Sequence, residues 1–431
     1  MFWQTAKSGK VYVEYDKVDI LQNPPGSTPE FEYLIPTHLD KDDPAKKVWN
    51  SPYGITYYLF EGNDSQWDDA QKKYVPKNGP DGKPLKKWLV YRTPTADYKP
   101  YTPAQGGGGN KQQFKIYATR VVEIGGSGYI GSALIQRLLG QGEQVVAVDS
   151  LVYDRHAMHG FFADANFTFV KADVRNITIG NVAGDDVDCV VNLAALTLPA
   201  SEKAPGQAME VNTDAAIKLG NECENSSIHY IYPSTCSNYG VKIDGYAVEE
   251  DELKPVSTYA RTKVAAEYAL SPLRCVAILR FATAYGLGAM FRPDLLLHQF
   301  IIDALTKGQI NLYGPGYFRP ICHVDDLARA IIKVMGWQIS GIYNIGSTAH
   351  NFTKMQLAEM VQSEIPSWTI TADEKLGDDP RNYKVSFTKA AKRLGFLTVH
   401  EPALEVRKIV SLYNKGVLDF GFKEQVLDKT A

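Results

Sequence analysis

Three features of this sequence predict an α/β fold, a doubly wound parallel sheet preceded by a β-rich or extended segment. From about residue 116 onward, apolar runs alternate with helical stretches; a glycine-spaced turn joins the first run to the first helix; and before residue 110 the composition is of another kind. The chain has 431 residues, enough for two domains and a large buried core.

The segment 1–110 is rich in Tyr, Trp, Lys, Asp and Pro. Short strand-like runs such as KVYVEY, GITYYLF and KKWLVYR are separated by the breakers NPPGSTPE and KNGPDGKP. The segment has few aliphatic residues for a core of its own, and its aromatic side chains are of the kind that anchor one surface to another, so a docking arm is expected. Its paired lysines read as solvated faces. Gly106 to Gly109 then form a tether with almost no conformational preference, which sets the boundary between residues 1–110 and a domain of residues 111–431.

Beyond the tether come RVVEIGG, SALIQRLLGQG, QVVAVDS, DCVVNLAAL, AMEVNTDAAIKLGNECENS, IHYIYPS, TYARTKVAAEYAL and CVAILRFATAYG. A strand with one wet face alternates apolar and polar residues. These strands are apolar throughout, as in a parallel sheet covered by helices on both faces. A nucleotide-binding core is expected mainly over residues 116–285 and a smaller substrate-binding part mainly over residues 286–425.

The turn after the first strand, GGSGYIG, places Gly125, Gly128 and Gly131 around Ser127, Tyr129 and Ile130, at the start of an amphipathic helix. A tight turn, close approach of backbone to a pyrophosphate and the free N–H groups of a helix N-terminus are what a dinucleotide needs. Glycine spacing alone is a weak signal. Asp149 strengthens it by ending the next strand, one helix and one strand beyond Gly131, where a carboxylate accepts both ribose hydroxyls and repels a 2′-phosphate. NAD is therefore expected rather than NADP, in a Rossmann-like core. Asp173 and Val174, after FTFVKA, would flank the adenine, although an aspartate ending a strand equally serves as a helix cap.

In STYARTKVAAEYAL, Tyr259 and Lys263 stand one helical turn apart on the same face. A phenol is a poor base at neutral pH unless a nearby ammonium and a cationic nicotinamide stabilise its phenolate, and Lys263 is placed to be that ammonium. A YxxxK pattern also arises by chance on surface helices. Thr235, upstream of Tyr259 at the end of IHYIYPS, adds a hydroxyl able to share a hydrogen bond with the substrate oxygen that Tyr259 deprotonates.

With GGSGYIG, NLAA, STCSNYG, YARTK, LRFATAYG and FRPICHVDD in order, the chain resembles the extended short-chain dehydrogenase/reductase family and its NAD-dependent nucleotide-sugar epimerases and dehydratases, over roughly residues 118 to 425. The resemblance implies substrate hydrogen bonding for Thr235, acid/base work for Tyr259, and cofactor ribose binding with pKa depression for Lys263. It implies cofactor contacts for Leu193, Ala194 and Ala195, a place near the active site for Asn212, and a diphosphate contact for Arg319 with Arg381 as a second phosphate ligand. Cys236, Ser237 and Thr283 fall where the sugar lies. Members that eliminate water across C5 and C6 carry Asp-Glu after the catalytic Thr; here Cys236 and Ser237 supply no carboxylate, which leaves epimerisation or simple redox at C4. Two positions depart from the pattern: the Asn of LRxFN is Thr283, and the Asp that commonly follows the diphosphate arginine is Pro320. Two other readings stay open: a nucleotide-sugar 4-ketoreductase that exchanges its cofactor, and a cofactor-bearing structural subunit docked through the N-terminal segment.

A formal charge of −3 and a pI near 6.3 give no polyanion-binding signal, so no nucleic acid is expected as partner. The five cysteines, Cys189, Cys223, Cys236, Cys275 and Cys322, never fall in CxxC spacing, which argues against a disulfide framework and a metal site. No uncharged apolar stretch is long enough to cross a bilayer, so no membrane span is expected. The cytoplasm or another reducing compartment is the expectation, organelle import being left open, with a homo-oligomer or an assembly through the N-terminal extension. Cys236 reads as a small residue lining the sugar pocket, and His323 as a structural histidine before a capped helix.

Overall fold

The computed structural model describes residues 119–420, apart from 153–155, 185, 243, 367 and 374–379, together with the backbone of seven strands within 1–118. The chain divides into two compact units, Met1–Gln113 and Phe114–Ala431.

In the first unit the strands are β1 (Phe2–Thr5), β2 (Val11–Glu14), β3 (Val48–Asn50), β4 (Ile55–Asn63), β5 (Ser65–Asp68), β6 (Lys73–Pro76) and β7 (Lys86–Pro94). β3, β4 and β7 make an antiparallel sheet in which Tyr57 pairs with Arg92 and Phe60 with Leu89; β1 pairs with β2, and β5 with β6. β2, β4 and β7 coincide with the three strand-like runs of the sequence. The glycine tether and the placing of the unit's aromatic side chains lie outside the described residues.

The second unit contains β8 (Arg120–Ile124), β9 (Gln144–Asp149), β10 (Phe167–Lys171), β11 (Cys189–Asn192), β12 (His229–Thr235), β13 (Val276–Phe281), β14 (Thr283–Tyr285), β15 (Gln309–Tyr313), β16 (Phe318–His323), β17 (Gly341–Ile345), β18 (Asn351–Thr353) and β19 (Thr369–Asp373). Seven of them form one parallel sheet in the order β10-β9-β8-β11-β12-β13-β17. The order reverses between β8 and β11, and the crevice at such a switch point is where doubly wound sheets bind nucleotides.

Alternation along the apolar strands is sorted between two cores. Val121, Val145, Val191, Ile231 and Leu279 face helices Tyr129–Gly140 and Val324–Trp337, whereas Val122, Val146, Val190, Tyr230 and Ile278 face helices Ala215–Asn225 and Thr258–Leu270. Both faces are dry, which is why the runs carry no polar phase. A third core, with Leu297, Ile301, Leu357, Val361 and Ile409, forms the C-terminal part. Among the described residues no helix is long and apolar enough to cross a membrane.

Candidate active site

The glycine turn follows β8 and opens helix Tyr129–Gly140. Gly125 has φ of +85°, and a Cβ there would lie 2.6 Å from the Ala194 backbone nitrogen, so the turn and its approach to the strand-end loop Leu193–Ala195 both require glycine. A Cβ on Gly131 would lie 2.6 Å from the Gly125 carbonyl oxygen and 2.8 Å from Glu123 Oε1, so the helix sits hard against the strand. No side chain caps this helix at Gly128. Its N–H groups and dipole end are free to receive phosphate. Asp149, at the end of β9, accepts from Ser127 N–H at 3.1 Å and Leu151 N–H at 2.7 Å, which fixes a carboxylate beside the turn. Ile130 lies in the first helical turn, half-buried.

Tyr129 has another use. It is buried, its hydroxyl donates to the Gly286 carbonyl, and its ring packs under Gly288, so the cofactor turn is bolted to the loop that opens the C-terminal part. The same loop is held by His298, whose Nε2 accepts from Gly286 N–H at 2.8 Å while Nδ1 faces the Arg292 carbonyl at 2.8 Å. That pattern places the imidazole proton on Nδ1. Asp173 is spent on local structure: it accepts from Arg175 N–H at 2.9 Å and pairs with the Arg175 guanidinium. Val174 is buried in the core below it.

Helix Thr258–Leu270 starts at the Ser257 cap and carries Tyr259 and Lys263 on one face. Thr235 ends β12, where its hydroxyl accepts from Ser237 N–H at 3.1 Å and turns the chain into the short helix Cys236–Tyr239. Burial pushes the Tyr259 phenol up to about 12, against the charge of Arg292. Lys263 is fully enclosed, its Nζ 4.1 Å from the face of the Tyr232 ring, and burial brings it down to about 7 against the charge of Glu267.

Asn212 sits in a π-helical turn, Glu210–Asp214, inside an otherwise regular helix. Its amide bridges Leu196 N–H at 2.8 Å and Thr262 Oγ1 at 3.0 Å, and its carbonyl accepts from the Tyr232 hydroxyl at 2.8 Å. It thus links the loop after β11, helix Thr258–Leu270 and the ring beneath Lys263.

The residues assigned to the sugar diphosphate come together in part. Arg381 Nη1 donates to Ser237 Oγ at 3.3 Å, Ser237 Oγ lies 3.3 Å from the Tyr383 hydroxyl, and Arg319 donates to the Arg381 carbonyl and lies over the Tyr383 ring. Thr283 begins β14, opposite Ile321 of β16. Cys236 does not join them: its thiol is buried in the core, donates to the Arg280 carbonyl at 3.2 Å, and is raised well above its ordinary pKa by burial. Cys236 opens the short helix that follows Thr235, and its side chain packs inward. His323 caps helix Val324–Trp337 through Asp325 N–H at 3.1 Å.

Residues 121–346 match the sequence profile of the NAD dependent epimerase/dehydratase family. The chain belongs to that family. It is an NAD-dependent enzyme of the extended short-chain dehydrogenase/reductase type. UDP-glucuronic acid decarboxylase 4 of Arabidopsis thaliana is 27% identical, the match covering 79% of this chain and 78% of that protein. UDP-glucose 4-epimerase of Lactobacillus helveticus is 25% identical over 65% of this chain and 93% of that one. The fold is shared with UDP-glucuronic acid 4-epimerase from Bacillus cereus, solved with UDP-glucuronic acid and NAD, at a TM-score of 0.62 and 22% identity, covering 69% of this chain and 99% of that one.

NAD, the family's cofactor, fits the residues described above. The tight glycine turn, the uncapped helix start, Asp149 beside the turn and the enclosed Lys263 are what its pyrophosphate, adenosine ribose and nicotinamide ribose call for. Three features of this epimerase/dehydratase chain escape a reading of its motifs. Arg292 gives no local signal, because only the fold brings its charge to bear on Tyr259. Glu267 is visible in principle, one helical turn after Lys263. Glu123, an acid in an apolar strand, is visible as an anomaly: it is fully buried, neither carboxyl oxygen has a hydrogen-bond partner among the described residues, and burial, with Asp149 second, raises its pKa well above the ordinary value.

Proposed function

We propose that this chain is a nucleotide-sugar epimerase acting at C4. The observation that carries the reading is the set Thr235, Tyr259 and Lys263 with no carboxylate following Thr235: Cys236 is turned into the core and Ser237 is engaged with Arg381 and Tyr383. Tyr259 takes the proton of the sugar 4-hydroxyl, Thr235 shares a hydrogen bond with the same oxygen, and Lys263 supports the phenolate while holding the cofactor ribose. NAD, held by the glycine turn, Asp149 and Lys263, would supply the hydride acceptor and donor that inversion at C4 requires. Arg319 and Arg381 neutralise the diphosphate, whose charge makes paired guanidinium groups the natural anchor. Dehydration across C5 and C6 lacks its acid and base here, since neither an enclosed thiol of raised pKa nor a serine hydroxyl replaces a carboxylate.

A second reading is favoured by the matching UDP-glucuronic acid decarboxylases. Oxidation at C4 of a uronic acid makes its C6 carboxylate that of a β-keto acid, which loses CO2 readily, so the same three residues would begin that reaction. The deciding experiment incubates the purified protein with UDP-glucose, UDP-N-acetylglucosamine and UDP-glucuronic acid and follows products by NMR. The C4 epimer with no net change in NADH supports the proposal. CO2 release with a pentose product establishes the second reading, and stoichiometric NADH makes the chain an oxidoreductase.

A further inference from the structure

We propose that Glu267 is a positioning residue for the reaction: it clamps both flanks of Thr235 and sets a carboxylate one helical turn from Lys263. The inference rests on the catalytic reading of Thr235, Tyr259 and Lys263. Glu267 is 2% exposed and makes a buried ion pair with Arg280 at 2.7 Å. Its Oε1 also accepts from Ser234 Oγ at 2.5 Å and from Asn238 Nδ2 at 2.8 Å. Ser234 precedes Thr235 on β12, and Asn238 lies in the turn that follows, so one carboxylate ties the catalytic helix to both sides of the catalytic hydroxyl. Arg280 carries the connection onward from β13: Nη1 donates to the Tyr239 hydroxyl at 2.9 Å and the Glu249 carbonyl at 3.0 Å, and Tyr239 donates to Asn344 Oδ1 at 2.7 Å.

A buried pair of this kind is poor evidence for stability, because desolvating both charges offsets most of their attraction. Its position between the flanks of Thr235 and the helix that carries Lys263 calls for another role. Lys263 needs one: its Nζ lies over the Tyr232 ring, Tyr259 and Glu267 stand one helical turn away on its own helix, Glu267 being paired with Arg280 of β13, and Asn212 and Thr213 of the π-helical turn hold the adjacent Thr262. Among these, Glu267 is the anion that opposes the loss of the Lys263 proton on burial.

The test is Glu267→Gln in the full-length protein, read by NAD affinity against pH, thermal melting, and turnover of the UDP-sugar that the wild type accepts. Lys263 binds the cofactor ribose as an ammonium, so affinity falls as pH rises through its pKa. Without the Glu267 charge that fall is expected about one pH unit lower, a roughly tenfold loss of affinity on the alkaline side. Glu267→Asp keeps the charge but shortens the reach to Ser234 and Asn238; it should leave the pH of the fall unchanged and lower kcat. Lower melting temperature with the affinity profile unmoved in Glu267→Gln overturns the proposal, as does a profile that moves equally in Glu267→Asp. If Glu267→Gln does not fold, the paired change of Glu267→Met with Arg280→Met, which leaves no buried charge unpaired, takes its place with the same expected shift and the same refuting result. A Tyr259→Phe variant that keeps full turnover would instead remove the catalytic reading on which the inference stands.

Discussion

Replacing Glu123 by Met should make the protein more stable, and the gain should grow with pH. Glu123 lies beneath Gly131 on β8, fully buried, with both oxygens unpartnered and with Asp149 adding repulsion to the desolvation that raises its pKa. A folded-state pKa above the unfolded one means that the folded chain holds the proton more tightly. The acid is therefore best tolerated below the ordinary carboxylate range, and its contribution is lost as pH rises through the raised value. Met has nearly the same length and no polar atom to satisfy. An unpartnered buried polar group costs about 1–3 kcal/mol, so at neutral pH the variant should gain roughly that amount. For a unit of this size each kcal/mol moves the melting temperature by about 2–4 °C. Melting curves of both proteins from pH 4 to pH 8, each measured reversibly, give the result directly. A Met variant less stable than wild type at every pH would refute the reasoning, because it would mean that the carboxylate is held as an ion by a favourable partner.

Other expectations are more local. Tyr259→Phe should lower turnover by about 100- to 10,000-fold with NAD affinity and melting temperature unchanged, since only the proton relay is removed; near-normal turnover would refute its assignment. Burial alone would raise Glu405, but His323, 3.7 Å away, and Leu287 N–H at 2.9 Å outweigh it and hold the carboxyl at about 2. A depressed acid stabilises the fold above the ordinary carboxylate range and loses that contribution as pH falls toward about 2. Glu405→Gln should therefore cost roughly 1–3 kcal/mol at neutral pH, with the gap in melting temperature closing between pH 5 and 2. A chain starting at Gln112 should fold and bind NAD with wild-type affinity while its mass in solution changes; loss of NAD binding with association unchanged would place the N-terminal segment within the active-site domain.

The parallel sheet is legible in the sequence because a strand buried on two faces cannot hide its composition: from Val121 to Ile124 and from Cys189 to Val191 nearly every position must be apolar. The glycine turn is legible for a similar reason, since φ of +85° at Gly125 leaves few alternatives. What is not legible is direction and partnership. Thr235 and Cys236 are neighbours, yet the hydroxyl of one caps the turn that follows while the thiol of the other lies in the core against the Arg280 carbonyl. Asp173 has the same letter and setting as Asp149, and only the proximity of Arg175 commits it to a cap. Arg292 is placed through His298, Gly286 and Tyr129, and the contact of Tyr129 with Gly286 joins segments from opposite halves of the second unit, which no local pattern encodes.

The π-helical turn at Glu210–Asp214 has a consequence for how this chain tolerates change in length. A π turn amounts to one extra residue wound into a helix, and each residue advances an α-helix by about 100°. Removing one residue between Glu210 and Asp214 would leave a regular, locally more comfortable helix, yet everything on one side of the cut would rotate by that angle. The Asn212 carbonyl would leave the Tyr232 hydroxyl, the loop after β11 would lose its amide anchor, and the ring under Lys263 would be free to tilt. A single-residue deletion that ought to repair the helix would thus unseat the lysine through a chain of three residues, from the Asn212 main chain by way of the Tyr232 ring.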